Sequence, residues 1–257
     1  MAGVGTKIRW KVRRSVEGAA AAAFPMRLTE RLVKRKIASA GSFTFDSSEL
    51  PYFFHSYNSF GRTERSVEIP IIRSYLERGS YRNVLEIGNV SQHYYDYFRD
   101  VFANVRRTVV DKYEVGNGVV NADIAEFTSE ERFDLAFSIS TFEHMDSDLG
   151  RNTSYRPDTS KLVSVAADNI NHVGEMLMAE GGKIVVTAPL GYAPEWDDTF
   201  YSKTLDESCG FSRVNRYVLR RTGELSWQQV HPDEGRNAPN TSRSDVRDFL
   251  SILELDK

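Results

Sequence analysis

The sequence predicts an α/β protein: a doubly wound, mostly parallel sheet finished by an antiparallel C-terminal hairpin. Three observations predict it. Asn83-Val84-Leu85-Glu86-Ile87-Gly88-Asn89 is a short apolar run closed by a glycine and a polar turn, and residues 91–103 after it carry a helical pattern. Short runs of strand formers then alternate with helical segments, which is how a parallel sheet covered on both faces is written in sequence. After residue 212 the runs follow one another across Gly- and Asn/Pro-containing turns, which suits antiparallel pairing.

The 257 residues suffice for one large domain or two small ones, and 40% hydrophobic with 27% charged residues is ordinary for a globular chain. The net charge of −3 hides an uneven distribution. Residues 1–36 hold ten Lys or Arg against Glu17 and Glu30, a net +8, which leaves −11 for the rest. An acidic body argues against a nucleic-acid partner. The single cysteine, Cys209, forms no internal disulfide and suits a reducing compartment, so a cytoplasmic location is expected. No apolar stretch approaches the ~18–20 residues of a membrane span. The apolar run at 19–24 is too short, and too close to Glu17, for a signal peptide.

Residues 1–40 read as a basic helical extension and 41–257 as the α/β domain. Within the extension, residues 26–38 align Leu28, Leu32, Val33 and Ile37 on one stripe. That helix either packs on its own domain with a solvated basic face, or makes a peripheral membrane or protein contact. Residues 41–63, with Phe43, Phe45, Tyr52, Phe53, Phe54, Tyr57 and Phe60, are too aromatic for disorder and read as an ordered loop. A helix follows over 63–78, its inner side carrying Val67, Ile71, Ile72, Tyr75 and Leu76. Pro70 kinks it or marks its first turn, and Gly79 ends it. Beyond the Gly88 strand, further strands are expected at 107–110, 118–120, 133–138 and 183–187. Between the last two, Leu162, Val165, Ala166, Ile170, Val173, Met176 and Leu177 form a helix that Gly181-Gly182 ends. The tail gives strands at 213–220, 225–230 and 249–255.

Glu86-Ile87-Gly88, then Asp111 23 positions beyond the glycine, then Asp123, then the strand at 133–138, form an ordered series. In this order and spacing the chain resembles class I S-adenosylmethionine-dependent methyltransferases over residues 64–190, and more loosely in its C-terminal hairpin. The resemblance implies S-adenosylmethionine as cofactor. It implies that Asp111 accepts from the ribose hydroxyls, a task a carboxylate performs well. It likewise implies Asp123 at the adenine amino group, with Ile124 as a wall for the ring. Gly88 lets the backbone approach the methionine part of the cofactor. Glu86 sits behind that turn, holding backbone N–H groups or the cofactor ammonium, and Ser138 with Ile139 faces the sulfonium. One departure stands out: a single glycine is followed by Asn89-Val90-Ser91-Gln92. Asn89 tolerates left-handed backbone and Ser91 is able to cap the next helix, so a reshaped turn still accommodates the cofactor.

Glu143 and His144, just past the fourth strand, are the catalytic candidates. His144 would take a proton from the acceptor as it attacks the methyl carbon in line. Two adjacent side chains do not make a metal site, and none is expected. Arg65 is placed to pair with the methionine carboxylate. Tyr57, Tyr192 and Trp196 are the acceptor-binding candidates. The expected activity is methyl transfer to a small polar acceptor, with a sugar hydroxyl in polysaccharide or glycoconjugate biosynthesis as the finer expectation. The alternative is a degenerate methyltransferase fold serving as a binding or scaffold module. A nicotinamide enzyme is disfavoured because no G-x-G-x-x-G follows the strand. The sequence does not set the oligomeric state.

Overall fold

The computed structural model describes residues 34, 35, 39, 41–55, 57, 58, 64–145, 165–207, 210–223, 226–239 and 248–257. Most of the expected basic helix at 26–38, together with Phe60, Thr63, Leu162, Cys209 and Leu225, lies outside them. A hairpin comes first, β1 (Ser42–Phe45) with β2 (Ser48–Pro51). Its turn residues Asp46 (φ 46°) and Ser47 (φ 61°) are both left-handed, the two-residue turn whose twist matches antiparallel strands. This corrects the ordered loop expected over 41–63. Phe43 and Phe45 alternate onto one buried face, which is a strand period.

Helix α1 (Arg65–Arg78) carries Pro70 in its second turn, so that residue does not open the helix. Gly79 ends it in extended backbone (φ −97°, ψ 154°), and glycine is needed there because a Cβ would overlap the Tyr81 ring. Strand β3 (Asn83–Ile87) leads through a 3₁₀ turn (Val90–Tyr94) into α2 (Tyr95–Phe102), then β4 (Arg106–Asp111) and β5 (Val119–Asn121). Next come β6 (Phe133–Ile139), a 3₁₀ turn (Phe142–His144) and α3 (Val165–His172), the last extended by a π-turn (Val173–Leu177). Strand β7 (Met178–Pro189) begins at once, so Gly181-Gly182 does not end the helix. The pair lies inside β7, where the β6 register jumps from Phe133–Met178 to Leu135–Lys183, and Gly181 (φ 75°) turns the extra residues out. Two helices not expected from the sequence follow, α4 (Pro194–Tyr201) and α5 (Thr204–Glu207). The chain closes with β8 (Arg213–Gly223), β9 (Ser226–Val230) and β10 (Phe249–Asp256).

The eight-stranded sheet has the order β5-β4-β3-β6-β7-β10-β8-β9. Pairs from β5 to β7 are parallel. Strand β10 is antiparallel to both β7 and β8, and β8 and β9 form the edge hairpin. Alternation along the strands divides the core between two faces. Val84, Leu135, Phe137, Val185 and Ile252 pack under α1, α2 and the N-terminal hairpin. Leu85, Ile87, Val110, Ala136, Ile184 and Leu253 pack under α3 and α4. The same alternation turns Glu86 toward α2 and Ile87 toward the opposite face.

Candidate functional site

The chain order reverses between β3 and β6, and in an open α/β sheet ligands settle at the carboxyl ends of the strands flanking such a switch. A cavity of about 430 Å³ lies there, lined by Gly88 after β3, Asp111 ending β4, Asp123 and Ile124 after β5, and Ser140, Thr141 and His144 after β6. Its volume is within the ~300–1,000 Å³ of small-molecule sites.

Gly88 has φ 82°, and a Cβ there would overlap Thr141 Oγ1. Only glycine meets both conditions. Its N–H donates to the Val110 carbonyl at 2.9 Å, tying the turn to β4. Two carboxylates hold the turn that follows. Asp111 Oδ2 accepts from the Asn89 N–H at 3.2 Å, while its Oδ1 accepts from the N–H groups of Tyr113 and Glu114, both at 2.8 Å. A carboxylate has about four acceptor sites, so Asp111 keeps room for one further donor from the cavity. On the other side of the sheet, Glu86 accepts from the Ser91 N–H (2.8 Å) and hydroxyl (2.6 Å), with Arg107 Nη1 at 3.4 Å. Burial pushes the Glu86 carboxyl up to about 7, against the pull of Arg107 and Ser91.

Asn89 is not left-handed (φ −95°, ψ 41°), and Ser91 caps no helix because its hydroxyl is spent on Glu86. The Asn89 side-chain oxygen Oδ1 is buried without a partner among the described residues. Asp123 meets Lys112 at 2.8 Å and accepts from the Ala125 N–H at 3.1 Å. Burial would raise its pKa, but these two contacts outweigh that and lower it.

Of the expected site residues, Glu86, Asn89, Ser138, Ile139, Arg65, Glu143, Tyr57, Tyr192 and Trp196 do not line the cavity. Ser138 is fully buried, and its hydroxyl donates to the Ile87 carbonyl at 2.8 Å, locking β3 to β6. Ile139 likewise packs into the α1 face. The strand runs one residue beyond Ser138, so the residue that reaches the cavity is Ser140, with φ 41°. Trp196 is fully buried and donates from Nε1 to Ser251 Oγ at 2.9 Å; it is core, not pocket wall. Arg65 pairs with Glu68 at 2.6 Å and does not line the cavity. Burial disfavours its charge, but Glu68, Glu64, Tyr94 and Glu143 hold its pKa above the ordinary value.

His144 lines the cavity, with its side chain 47% exposed and its ring edge-on to Tyr192 at 5.3 Å. Glu143 turns inward instead. Its Oε1 is 3.8 Å from His144 Nε2, too far to orient the imidazole by a hydrogen bond. Burial pushes its carboxyl up to about 8, reinforced by Glu68 and Glu64 and opposed by its own backbone N–H and Arg65. Tyr57 is exposed and stacks on His93, with centroids 4.1 Å apart. Ser140 and Glu68 escaped the sequence reading, although an acid inside the apolar run Val67–Ile72 was a visible sign of a buried polar partner. Among the described residues no three His, Cys, Asp or Glu side chains converge as metal ligands, and no helix is long and apolar enough to cross a membrane.

No protein-family model and no curated protein matches the chain. Several solved structures do. The N-methyltransferase NodS from Bradyrhizobium japonicum WM9, in complex with S-adenosyl-L-homocysteine, is 15% identical; the match covers 89% of this chain and 98% of that one at a TM-score of 0.46. A SAM-dependent methyltransferase from Archaeoglobus fulgidus is 15% identical, covering 79% and 100% at 0.44. Coclaurine N-methyltransferase, bound to N-methylheliamine and S-adenosyl-L-homocysteine, is 13% identical, covering 98% and 94% at 0.44. Five parallel strands, a switch between β3 and β6, and an antiparallel strand set between β7 and β8 give this chain the class I methyltransferase fold.

Proposed function

We propose that the protein is an S-adenosylmethionine-dependent methyltransferase acting on a small polar acceptor. One observation carries the reading: Gly88, Asp111 and Asp123 come from three separate strand ends and converge on one cavity at the switch point. When bound, S-adenosylmethionine supplies an electrophilic methyl group. The chain's own residues then have distinct tasks. Asp111 offers its remaining acceptor site to a sugar hydroxyl, and Ile124 gives the adenine an apolar wall beside Asp123. His144, on the same cavity, takes the proton that the acceptor loses. The Tyr192 ring beside His144 supports a sugar-like acceptor, of the kind handled in cytoplasmic polysaccharide or glycoconjugate assembly.

A cofactor-free scaffold finds little support, since neither Asn89 nor Val90 lines or fills the crevice. Calorimetric titration with S-adenosylhomocysteine tests the reading. The wild-type chain is expected to bind, and Asp111→Ala to weaken binding by at least tenfold. Absence of binding by the folded wild-type protein would overturn it.

A further inference from the structure

Asp123 has a task in the cofactor reading; the lysine paired with it has none. Lys112, the residue after Asp111, lines the cavity and places its Nζ 2.8 Å from Asp123 Oδ2. The two stand past the ends of neighbouring strands, β4 and β5, so their ion pair bridges those ends along the cavity wall. With side chains 48% and 32% exposed, such a pair adds little to stability, because water solvates both charges. The loop that carries Lys112 is nonetheless tied down from both sides. Asn121 Nδ2 reaches the carbonyls of Asp111 (3.1 Å), Lys112 (2.9 Å) and Glu114 (3.1 Å), while Asp111 Oδ1 holds the N–H groups of Tyr113 and Glu114. The Tyr113 ring lies 5.8 Å from the lysine ammonium. A backbone held this closely fixes where the lysine stem starts, and so where its ammonium reaches.

Burial would raise the Asp123 carboxyl, but Lys112 and the Ala125 N–H hold it below its ordinary value, and an ionised carboxylate only accepts. It has about four acceptor sites, of which Lys112 and the Ala125 N–H, at 3.1 Å, take two. The ammonium carries three N–H groups and only donates. An acceptor and a donor thus stand side by side on one wall of the cavity. A carboxamide presents the same combination when it reads adenine by its amino group and a nearby ring nitrogen. We infer that Lys112 and Asp123 read the base of the cofactor as a pair, Asp123 accepting from the adenine amino group and Lys112 donating to a ring nitrogen beside it. This role for Lys112 rests on the methyltransferase reading, in which the base lies against Ile124. A carboxylate alone asks for an amino group; the ammonium adds the demand for an acceptor next to it. A base that fills the cavity also shuts water away from the pair, so a contact of little weight in the empty protein gains weight in the complex.

The test is a double-mutant cycle between side chain and ligand, read by calorimetry on the full chain. The ligands are S-adenosylhomocysteine and its 1-deaza and 7-deaza analogues, in which C–H replaces one of the two ring nitrogens nearest the amino group. Hydrogen bonds from charged donors are the stronger ones, so the wild-type chain is expected to bind one of the two analogues roughly tenfold or more weakly than the parent. Lys112→Met keeps the stem and removes the ammonium. It should bind S-adenosylhomocysteine roughly tenfold or more weakly, and should bind that same analogue as tightly as the parent. Lys112→Arg, which keeps a charged donor, should restore part of the penalty. A wild-type chain that binds both analogues as tightly as the parent, or a penalty that persists in Lys112→Met, overturns the role of Lys112 and leaves the methyltransferase reading standing. A folded wild-type chain that binds none of the three ligands overturns both.

Discussion

A methyl group added at Gly88 would meet Thr141 across the cavity wall and hold an L side chain at φ 82°. Left-handed backbone alone costs roughly 1–2 kcal/mol. Gly88→Ala is therefore expected to lower stability by about that amount or more and to weaken S-adenosylhomocysteine binding at least tenfold, read by urea denaturation and calorimetry. Gly88, Asp111, Asp123 and Ile124 line one cavity because each stands at or just past a strand end, and it was their order and spacing along the chain, as in the family it resembles, that singled them out. Ser138 was misread because its strand end was misplaced. The apolar pattern does not show that β6 continues through Ile139, and one residue of register moves a side chain to the other face. Asn89 does not stand in for a glycine through left-handed backbone: its φ is negative, and its N–H donates to Asp111.

At the scale of elements, α4 shows what local pattern conceals. Pro194 at its start was a readable signal, yet the aromatic Trp196 looked like pocket wall because nothing local says that it would meet Ser251 on β10. Trp196→Phe removes that hydrogen bond within the core and leaves Ser251 to its bond with the Ala188 carbonyl. It is expected to cost about 1–3 kcal/mol in urea denaturation and to leave S-adenosylhomocysteine affinity unchanged. A large loss of affinity would return Trp196 to the site. The hairpin β1–β2 and the glycines inside β7 were missed on similar grounds. Gly181-Gly182 is a helix stop locally, and only its pairing with β6 makes it a bulge.

For the molecule as a whole, alternation of strands and helices was enough to read the parallel half of the sheet. The placement of β10 between β7 and β8 was not, because β10 skips its nearer neighbour β9 and pairs with β8 and with β7, the latter more than 60 residues back. Charge buried within that sheet sets a pH dependence. The Glu86 carboxyl sits at about 7 in the fold against 4.5 ordinarily, so between these values the folded chain holds a proton that the unfolded chain has released. Stability from this group is whole below 4.5 and falls as pH rises through 7. Glu86→Gln removes that slope. Relative to wild type, the variant should gain on the order of 1–3 kcal/mol between pH 5 and pH 8, measured by urea denaturation at each pH. No relative gain would mean that Arg107 and Ser91 keep Glu86 ionised throughout.

The hairpin at residues 42–51 bears on how the molecule keeps to itself. Strand β9 is the last of the sheet, and its outer amides are a ready template for another chain to extend the ladder. The Tyr52 hydroxyl accepts from the outward Trp227 N–H at 2.9 Å, and Gln229 takes the Asp46 N–H at 2.8 Å. The aromatic segment that opens the domain thus acts as a guard rail, and a chain trimmed of it would be prone to stacking edge to edge into aggregates.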